Sequence, residues 1–357
     1  MGKLRLIHVG VGGWGASWVG ITHNSPEFEV VGFVDLSTDN LEAAIHAHNL
    51  PANRCYTDLQ TAIREQQADA AVIVTPPTTH ARVAETALAA GLHVMVEKPI
   101  AESLDEGVRM VALADEADRV LMVSQNYRYR RSAQTVKRIL DEGILGPVGH
   151  VSIDFRRSPH YVKPDVKWGD TSYRLVPDTS THHFDQLRGL TGVEPVWVSA
   201  RTVNPQWSWM KSDPVVSATM ESNDGVLVNY SASWVSQGPS TTWDGDWRID
   251  CEAGQIEWAQ NRVKVRPKEN YYTVFYPGLR ERLDFADAEL VEMDREDRWE
   301  TLRRFASAIE TGREPETSGR DNLSTLALTS GIVKSAQERM PVDVAALRLE
   351  ALQRGGL

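Results

Sequence analysis

The chain of 357 residues has only two cysteines, Cys55 and Cys251, nearly two hundred positions apart. Two thiols so far apart supply neither a disulfide framework nor a CxxC pair for structural zinc, so a reducing compartment is expected. No stretch approaches the roughly eighteen apolar residues of a membrane helix, and the opening MGKLRLIHVG has no apolar leader core. The lipid-acceptor pattern that Met1-Gly2 would begin fails at Leu6, where serine or threonine is required. Positive charge is also short: 38 Lys and Arg stand against 49 Asp and Glu, a formal net charge of −11. A surface that negative gains nothing from a phosphate backbone or an anionic bilayer, so neither nucleic acid nor membrane is an expected partner. The expected location is the cytoplasm.

At 41% apolar and 24% charged residues, the composition is that of an ordinary globular protein, and the length argues for two domains. Through residue 126, short apolar β-rich runs alternate with helical patterns, the sequence form of a parallel sheet with crossover helices. Strands are expected at 4–9, 29–35, 70–74, 93–97 and 120–126, with helices at 14–24, 39–48, 58–66, 78–90 and 104–117. Runs such as AAVIV at 70–74, apolar without alternation, suit a sheet buried on both faces. Right-handed crossovers make that sheet doubly wound, an N-terminal Rossmann domain over 1–126.

After Gly146-Pro147 the pattern changes to alternating strands with more aromatics. A helix at 131–142 is expected to connect to an α+β domain over 127–357, built on an open, mostly antiparallel sheet. Its strands are expected at 148–156, 195–203, 215–222, 226–235, 246–252 and 255–258, with Asn223-Asp224-Gly225 as a hairpin turn. Two helices, near 295–311 and 322–339, are expected to close the chain.

Directly after the first strand and before the first helix stands Gly10-Val11-Gly12-Gly13-Trp14-Gly15, a G-x-G-x-x-G sequence. In that context Gly10 suits a tight turn, Gly12 a side-chain-free approach to a pyrophosphate, and Gly15 close helix packing, with free N–H groups at the helix start. Asp35 follows Gly15 by twenty residues, at the end of the second strand, where a carboxylate can accept both ribose hydroxyls. No Lys or Arg follows in Leu36-Ser37-Thr38, and Asp35 would repel a 2′-phosphate, so NAD is favoured over NADP. Thr75-Pro76-Pro77-Thr78-Thr79-His80 follows the expected strand at 70–74, and Glu97-Lys98-Pro99 ends the one at 93–97. Both therefore fall at the carboxyl edge of the sheet, where open α/β folds bind ligands. Gly13, Trp14, Thr75, Pro76, His80, Glu97 and Lys98 complete the expected cofactor set.

Taken in order, GVGGWG at 10–15, TPPTTH at 75–80, EKP at 97–99, QNYRY at 125–129 and DTSTHHFD at 178–185 resemble the Gfo/Idh/MocA oxidoreductases. That family is named for glucose-fructose oxidoreductase, inositol dehydrogenase and a rhizopine-catabolism protein. The resemblance implies that Lys98 lies beside the nicotinamide and the reacting hydroxyl, often with a cis Lys-Pro bond. It places Arg128 near the substrate, and it implies that the second domain's sheet covers the cofactor and joins a homodimer or homotetramer. The family pattern D-x-G-x-H-x-x-D is matched at all three polar positions, with Ser180 in place of its glycine.

The same segment can be read without the resemblance. On an ideal helix Asp178, His182 and Asp185 fall at about 0°, 40° and −20°, one stripe that can meet one ligand. His183, about 140° from Asp178, points elsewhere, so the adjacent histidines are not one metal site. A structural alternative has Asp178 capping the helix after Pro177, with His182 a satisfied core histidine. The two cysteines have no clustered partners, and one histidine with two acids suits a proton relay better than zinc, so no metal is expected. Nine of the eleven tryptophans follow residue 160; most are assigned to core or subunit interface rather than to sugar stacking. Of Arg128, Arg130 and Arg131, only Arg128 matches the family, and the others read as a solvated helix start.

These observations point to an NAD-dependent dehydrogenase acting on a secondary hydroxyl of a sugar, cyclitol or related polyol. His182 would be the general base, Asp178 would orient it, Lys98 would hydrogen-bond the developing alkoxide, and Asp185 would bind a neighbouring hydroxyl. Two alternatives keep the fold: a redox-neutral, NAD-dependent glycosidase and a non-catalytic sensor of NAD or sugar. Segments 157–177 and 236–247, including His160, Tyr161, Lys163, Tyr173 and Arg174, are expected to line the pocket and select the substrate.

Overall fold

A computed structural model describes residues 2–158, 175–267 and 286–357. The chain divides into two compact units, one of Met1–Asn126, Arg295–Leu326 and Arg348–Leu357, the other of Tyr127–Asp294 and Ala327–Leu347. Among the described residues, no helix is long and apolar enough to cross a membrane.

The first unit is a parallel sheet in the order β3-β2-β1-β4-β5-β6, formed by β1 (Leu4–Val9), β2 (Phe28–Val34), β3 (Cys55–Tyr56), β4 (Ala70–Ile73), β5 (His93–Glu97) and β6 (Leu121–Ser124). The unalternating apolar runs are accounted for, since β4 and β6 are buried at every residue. Between the strands run α1 (Ala16–His23), α2 (Thr38–His48), α3 (Leu59–Glu65), α4 (His80–Ala89) and α5 (Leu104–Ala117). Side chains fix several of their starts: Ser37 and Asp58 accept from N–H groups in the first turns of α2 and α3, and Ser103 with Glu106 forms a capping box on α5. The two-residue β3 has too little periodicity to be read from sequence.

The expected division assigned everything after residue 126 to a second domain, but two later segments lie with the first unit. On α8 (Asp297–Thr311), Phe305 stacks on Phe28 with ring centroids 5.8 Å apart. The stretch after α8 covers the β6 edge: Val123 donates its N–H to the Thr317 carbonyl at 2.8 Å, and Met122 bridges Ser318. Near the C-terminus, Arg354 pairs with Asp105 at the start of α5.

The second unit is a sheet in the order β14-β13-β12-β11-β7-β10-β9-β8-β15. Its strands are β7 (Val148–Arg156), β8 (Pro195–Val203), β9 (Val215–Ser222), β10 (Leu227–Ser233), β11 (Asp246–Cys251), β12 (Gly254–Ala259), β13 (Arg262–Pro267), β14 (Ala286–Asp287) and β15 (Val342–Asp343). All neighbours are antiparallel except β7 and β10, which run parallel. On β9 buried and exposed residues alternate strictly, which is why it was legible in sequence. The strands β13, β14 and β15 were not expected. In β13 valines alternate with basic residues, and its turn from β12 uses Gln260 and Asn261, both at positive φ, instead of the Asn-Gly signature.

The helices of this unit include α6 (Arg131–Asp141) and α7 (Thr181–Thr191), the latter entered through a π-helical turn at Val176–Ser180. The chain then closes with α9 (Gly319–Glu338) and α10 (Val344–Gly355), the last a helix beyond the Met340-Pro341 stop that sequence had taken as the end.

Candidate functional site

On the first unit, the glycine turn occupies the carboxyl end of β1. Gly10 holds φ +94, and a Cβ there would come within 2.5 Å of the Val74 carbonyl oxygen, so only glycine fits the crossing between β1 and the end of β4. A Cβ on Gly15 would strike the Gly10 carbonyl, the close packing expected of that position. Gly12 lies against the Asn40 side-chain amide. Asp35 is stitched into this turn: Oδ2 accepts the Val11 and Gly12 N–H groups at 2.9 and 3.1 Å, while Oδ1 accepts the Ser37 N–H at 2.9 Å and Asn40 Nδ2 at 3.1 Å. The carboxylate expected to meet a ribose thus also braces the loop that would meet the pyrophosphate.

Sequence reasoning missed His8, buried in β1. Its Nε2 lies 2.9 Å from the Gly10 carbonyl and its Nδ1 2.8 Å from Thr22 Oγ1. Burial pushes its pKa down to about 4, so the ring is neutral, with Nε2–H donating to Gly10 and Nδ1 accepting from the hydroxyl. The signal was present as the polar side chain inside the apolar run Leu6-Ile7-His8-Val9, two residues before Gly10.

The β4 and β5 loops are joined by His80, whose ring nitrogens face the Thr75 carbonyl at 2.9 Å and the Pro99 carbonyl at 2.8 Å. Burial lowers its pKa, and a neutral imidazole donates to only one of the two. Thr79 donates its hydroxyl to Thr75 Oγ1 at 2.8 Å, and the next residue, Pro76, leads into a short 3-10 turn. Glu97 is buried: Oε1 accepts Trp18 Nε1 at 3.0 Å and Ser124 Oγ at 3.2 Å, and Oε2 accepts the Lys98 N–H at 3.0 Å. Burial raises its pKa despite the adjacent lysine charge. Glu97 therefore acts as an internal brace for the loop carrying Lys98, whose bond to Pro99 is cis as the resemblance implied. Trp14 is 61% exposed, with the Arg298 guanidinium 5.2 Å from its ring centroid.

On the second unit, Asp178 lies in the π-helical turn and is not the N-cap of α7. The ideal-helix stripe holds for His182 and Asp185, both on α7, whereas i→i+5 bonding changes the angular step at Asp178. Such π turns recur at functional sites. His182 is buried and stacks on Tyr127, centroids 3.8 Å apart and planes 8° from parallel. Asp185 takes a fork-on-fork pair from Arg128, Nε to Oδ2 at 2.6 Å and Nη2 to Oδ1 at 2.8 Å, with both side chains buried. Two of the residues expected at the substrate, Arg128 and Asp185, are thus brought together, each facing the other. Gly189 makes room for that guanidinium, since a Cβ there would collide with it.

His183 points away from this cluster, as the 140° offset required. Its Nε2 lies 2.9 Å from the Trp243 carbonyl and its Nδ1 2.8 Å from Tyr230 Oη, itself 2.7 Å from Ser180 Oγ. Burial pushes the His183 pKa down to about 4 and raises that of Tyr230. A neutral His183 donates from only one of its ring nitrogens, while the Tyr230 hydroxyl donates to Ser180 Oγ and Ser180 donates in turn to the Leu175 carbonyl at 3.2 Å. Ser180, where the family pattern has glycine, supplies the last hydroxyl of that chain.

Two expectations change here. Arg130 is no solvated helix start: it pairs with buried Asp244 at 2.8 Å and lies over the Tyr127 ring, 3.4 Å from its centroid. The tryptophans divide, Trp234, Trp247 and Trp258 being buried while Trp207, Trp209 and Trp243 are exposed. His160, Tyr161, Lys163, Tyr173 and Arg174 lie outside the described residues.

Comparison with known proteins matches residues 4–125 to the oxidoreductase family with an NAD-binding Rossmann fold, GFO/IDH/MocA, and residues 133–257 to the C-terminal domain of the same family. The chain is 26% identical over 338 residues to a D-apiose dehydrogenase of Paraburkholderia graminis, covering 90% of this chain and 85% of that protein. It is 27% identical over 286 residues to an inositol 2-dehydrogenase of Rhizobium meliloti, covering 78% and 81%. Among solved structures, an oxidoreductase from Agrobacterium radiobacter, in complex with NAD+, L-tartaric acid and magnesium, superposes with TM-score 0.84 at 21% identity, covering 97% of this chain and all of that one.

Proposed function

The chain belongs to the GFO/IDH/MocA oxidoreductase family, with the NAD-binding Rossmann domain of that family at its N-terminus, and from that premise we propose that it oxidises a secondary hydroxyl of a sugar, cyclitol or related polyol. The observation that carries this reading is Lys98, at the carboxyl edge of the parallel sheet on a loop braced by Glu97 and His80. The names of the relatives, D-apiose dehydrogenase and inositol 2-dehydrogenase, support the substrate class.

The residues present fit a dinucleotide. The side-chain-free turn at Gly10, Gly12 and Gly13 would hold the pyrophosphate with Trp14 and Gly15 beside it, and Asp35 would meet the ribose. Asp35, with no basic residue in Leu36-Ser37-Thr38, supports NAD over NADP. Thr75, Pro76, His80 and Glu97 shape the edge along which the nicotinamide half would lie. NAD, when bound, supplies the acceptor for the hydrogen leaving the substrate carbon.

His182 takes the hydroxyl proton as general base, for which an imidazole is suited near neutral pH. Asp178 orients that proton transfer. Lys98 donates a hydrogen bond to the oxygen as negative charge develops on it. The buried Arg128–Asp185 pair ties the 127–130 turn to α7, the helix that carries His182. The residues exposed at alternate positions of β9 and β10 offer the sheet face through which a homodimer or homotetramer is proposed to form.

The test is NADH formation from NAD with a panel of inositols, apiose, aldoses, anhydrosugars and sugar acids. His182→Ala and Lys98→Ala are each expected to lower kcat by about 10² to 10⁴, the usual worth of such groups. Variants with kcat within a few-fold of wild type would overturn the assignment. Release of a leaving group with no net NADH would replace it with the redox-neutral reaction.

A further inference from the structure

Tyr127 has a partner on each face of its ring. The His182 imidazole stacks nearly parallel at 3.8 Å between centroids, and the Arg130 guanidinium carbon lies 3.4 Å from the same centroid. Two planar groups at those distances cannot share one face, so the order is imidazole, phenol ring, guanidinium. The outer layer is anchored in turn. Arg130 pairs with Asp244 at 2.8 Å, and the other oxygen of that carboxylate accepts Gln186 Nε2 at 2.7 Å. Gln186 stands one helical turn after His182 on α7 and also donates to the Tyr127 carbonyl at 3.2 Å. The contacts therefore close on themselves, from α7 through the 127–130 turn to Asp244 and back to α7.

We propose that Tyr127 and Arg130 are positioning residues for His182, a two-layer clamp that fixes the plane of the imidazole. A face-on stack occupies the π surface of the ring and leaves the in-plane directions of both ring nitrogens outside the contact. A base needs that geometry, because proton transfer runs in the ring plane and depends on a heavy-atom approach of about 2.6–3.2 Å. The guanidinium sets the phenol ring from the far side, where cation–π attraction and the Asp244 pair both hold it. The proposal rests on the reading of His182 as the base.

The test uses the full chain with NAD and with inositol, D-apiose and D-glucose as probes, in wild type, His182→Ala, Tyr127→Leu, Tyr127→Phe and Arg130→Lys. A misplaced base costs up to about 10²-fold, so Tyr127→Leu is expected to lower kcat about 10- to 100-fold while KM for NAD stays unchanged. Tyr127→Phe keeps the flat face and is expected to restore kcat to within about twofold of wild type. Arg130→Lys keeps a charge for Asp244 but not the plane, and is expected to fall between them. A wild-type kcat in Tyr127→Leu, with His182→Ala inactive, would overturn the clamp and leave the functional reading standing. A Tyr127→Phe variant as slow as Tyr127→Leu would also overturn it, since the hydroxyl and not the face would then matter. An unimpaired His182→Ala, or no NADH from any probe, would instead sink the reading of His182 as base. The clamp is then decided by the His182 imidazole proton resonances, identified by their loss in His182→Ala. They are expected upfield in wild type and Tyr127→Phe and displaced in Tyr127→Leu, and no displacement would overturn it.

Discussion

Arg128 and Asp185 show how much one residue can hold. Both are buried and each satisfies the other with two short hydrogen bonds. Arg128→Ala would leave a buried carboxylate without its partner, and such breaks cost about 3–5 kcal/mol. The expected result is a large drop in the denaturant midpoint, and a midpoint within error of wild type would contradict the pair's structural role. At Gly10, alanine would meet the Val74 carbonyl at φ +94. Gly10→Ala is expected to lose NAD binding by titration and to cost about 1–3 kcal/mol of stability; unchanged affinity would show that the turn can yield. The residues proposed to carry the chemistry, Lys98, Asp178, His182, Asp185 and Asp35, stand out in sequence as residue types at meaningful spacing. Their partners were not. Nothing in a sequence tells that Arg130, written beside two other arginines, meets an aspartate 114 positions later, nor that a histidine inside β1 holds the glycine turn. Those contacts are set by tertiary packing between distant segments.

At the scale of elements, legibility followed periodicity and length. Strands long enough to alternate or to run fully apolar, such as β7 and β9, were found to the residue; two-residue strands were not. The β12–β13 hairpin escaped because its turn spends two non-glycine residues at positive φ, Gln260 and Asn261. That choice is strained: a left-handed residue other than glycine, asparagine or aspartate costs about 1–2 kcal/mol. Replacing Gln260 with asparagine and Asn261 with glycine is therefore expected to stabilise the protein by about 1 kcal/mol. Thermal unfolding checks it, and a lower Tm would mean that the two side chains make contacts worth more than the strain. The π turn at Val176–Ser180 was hidden for a different reason: helical spacing in sequence looks the same whether or not one turn is widened, yet it decides where Asp178 stands relative to α7.

Over the whole molecule, acid should act first through histidines. Burial lowers the pKa of His8 and His183 to about 4 and that of His80 below its ordinary value. As pH falls below about 6.5 the unfolded chain takes up these protons while the native chain does not, so stability is lost progressively down to about pH 4. The carboxylates held low by their partners, Glu27, Asp250 and Glu300, act only further down, when pH enters their own range. Denaturant midpoints at pH 7, 6 and 5 are expected to fall in that order. A flat profile over this interval would contradict neutral, buried imidazoles at both His8 and His183. The doubly wound unit, the open sheet and the family were all readable from the ordered motifs, because each motif falls where strand ends and helix starts must lie. The return of 295–326 and 348–357 to the first unit was not readable, since it depends on which sheet edge those helices cover.

The central claim is that NAD bound on the first unit is reduced by a polyol whose proton leaves through His182. It is tested most directly by following absorbance at the NADH band as wild-type protein with NAD meets the sugar and polyol panel. The account predicts a rise with one chemical group of the panel, slowed by about 10² to 10⁴ in Lys98→Ala and in His182→Ala. NAD binding with a flat trace across the whole panel would contradict it.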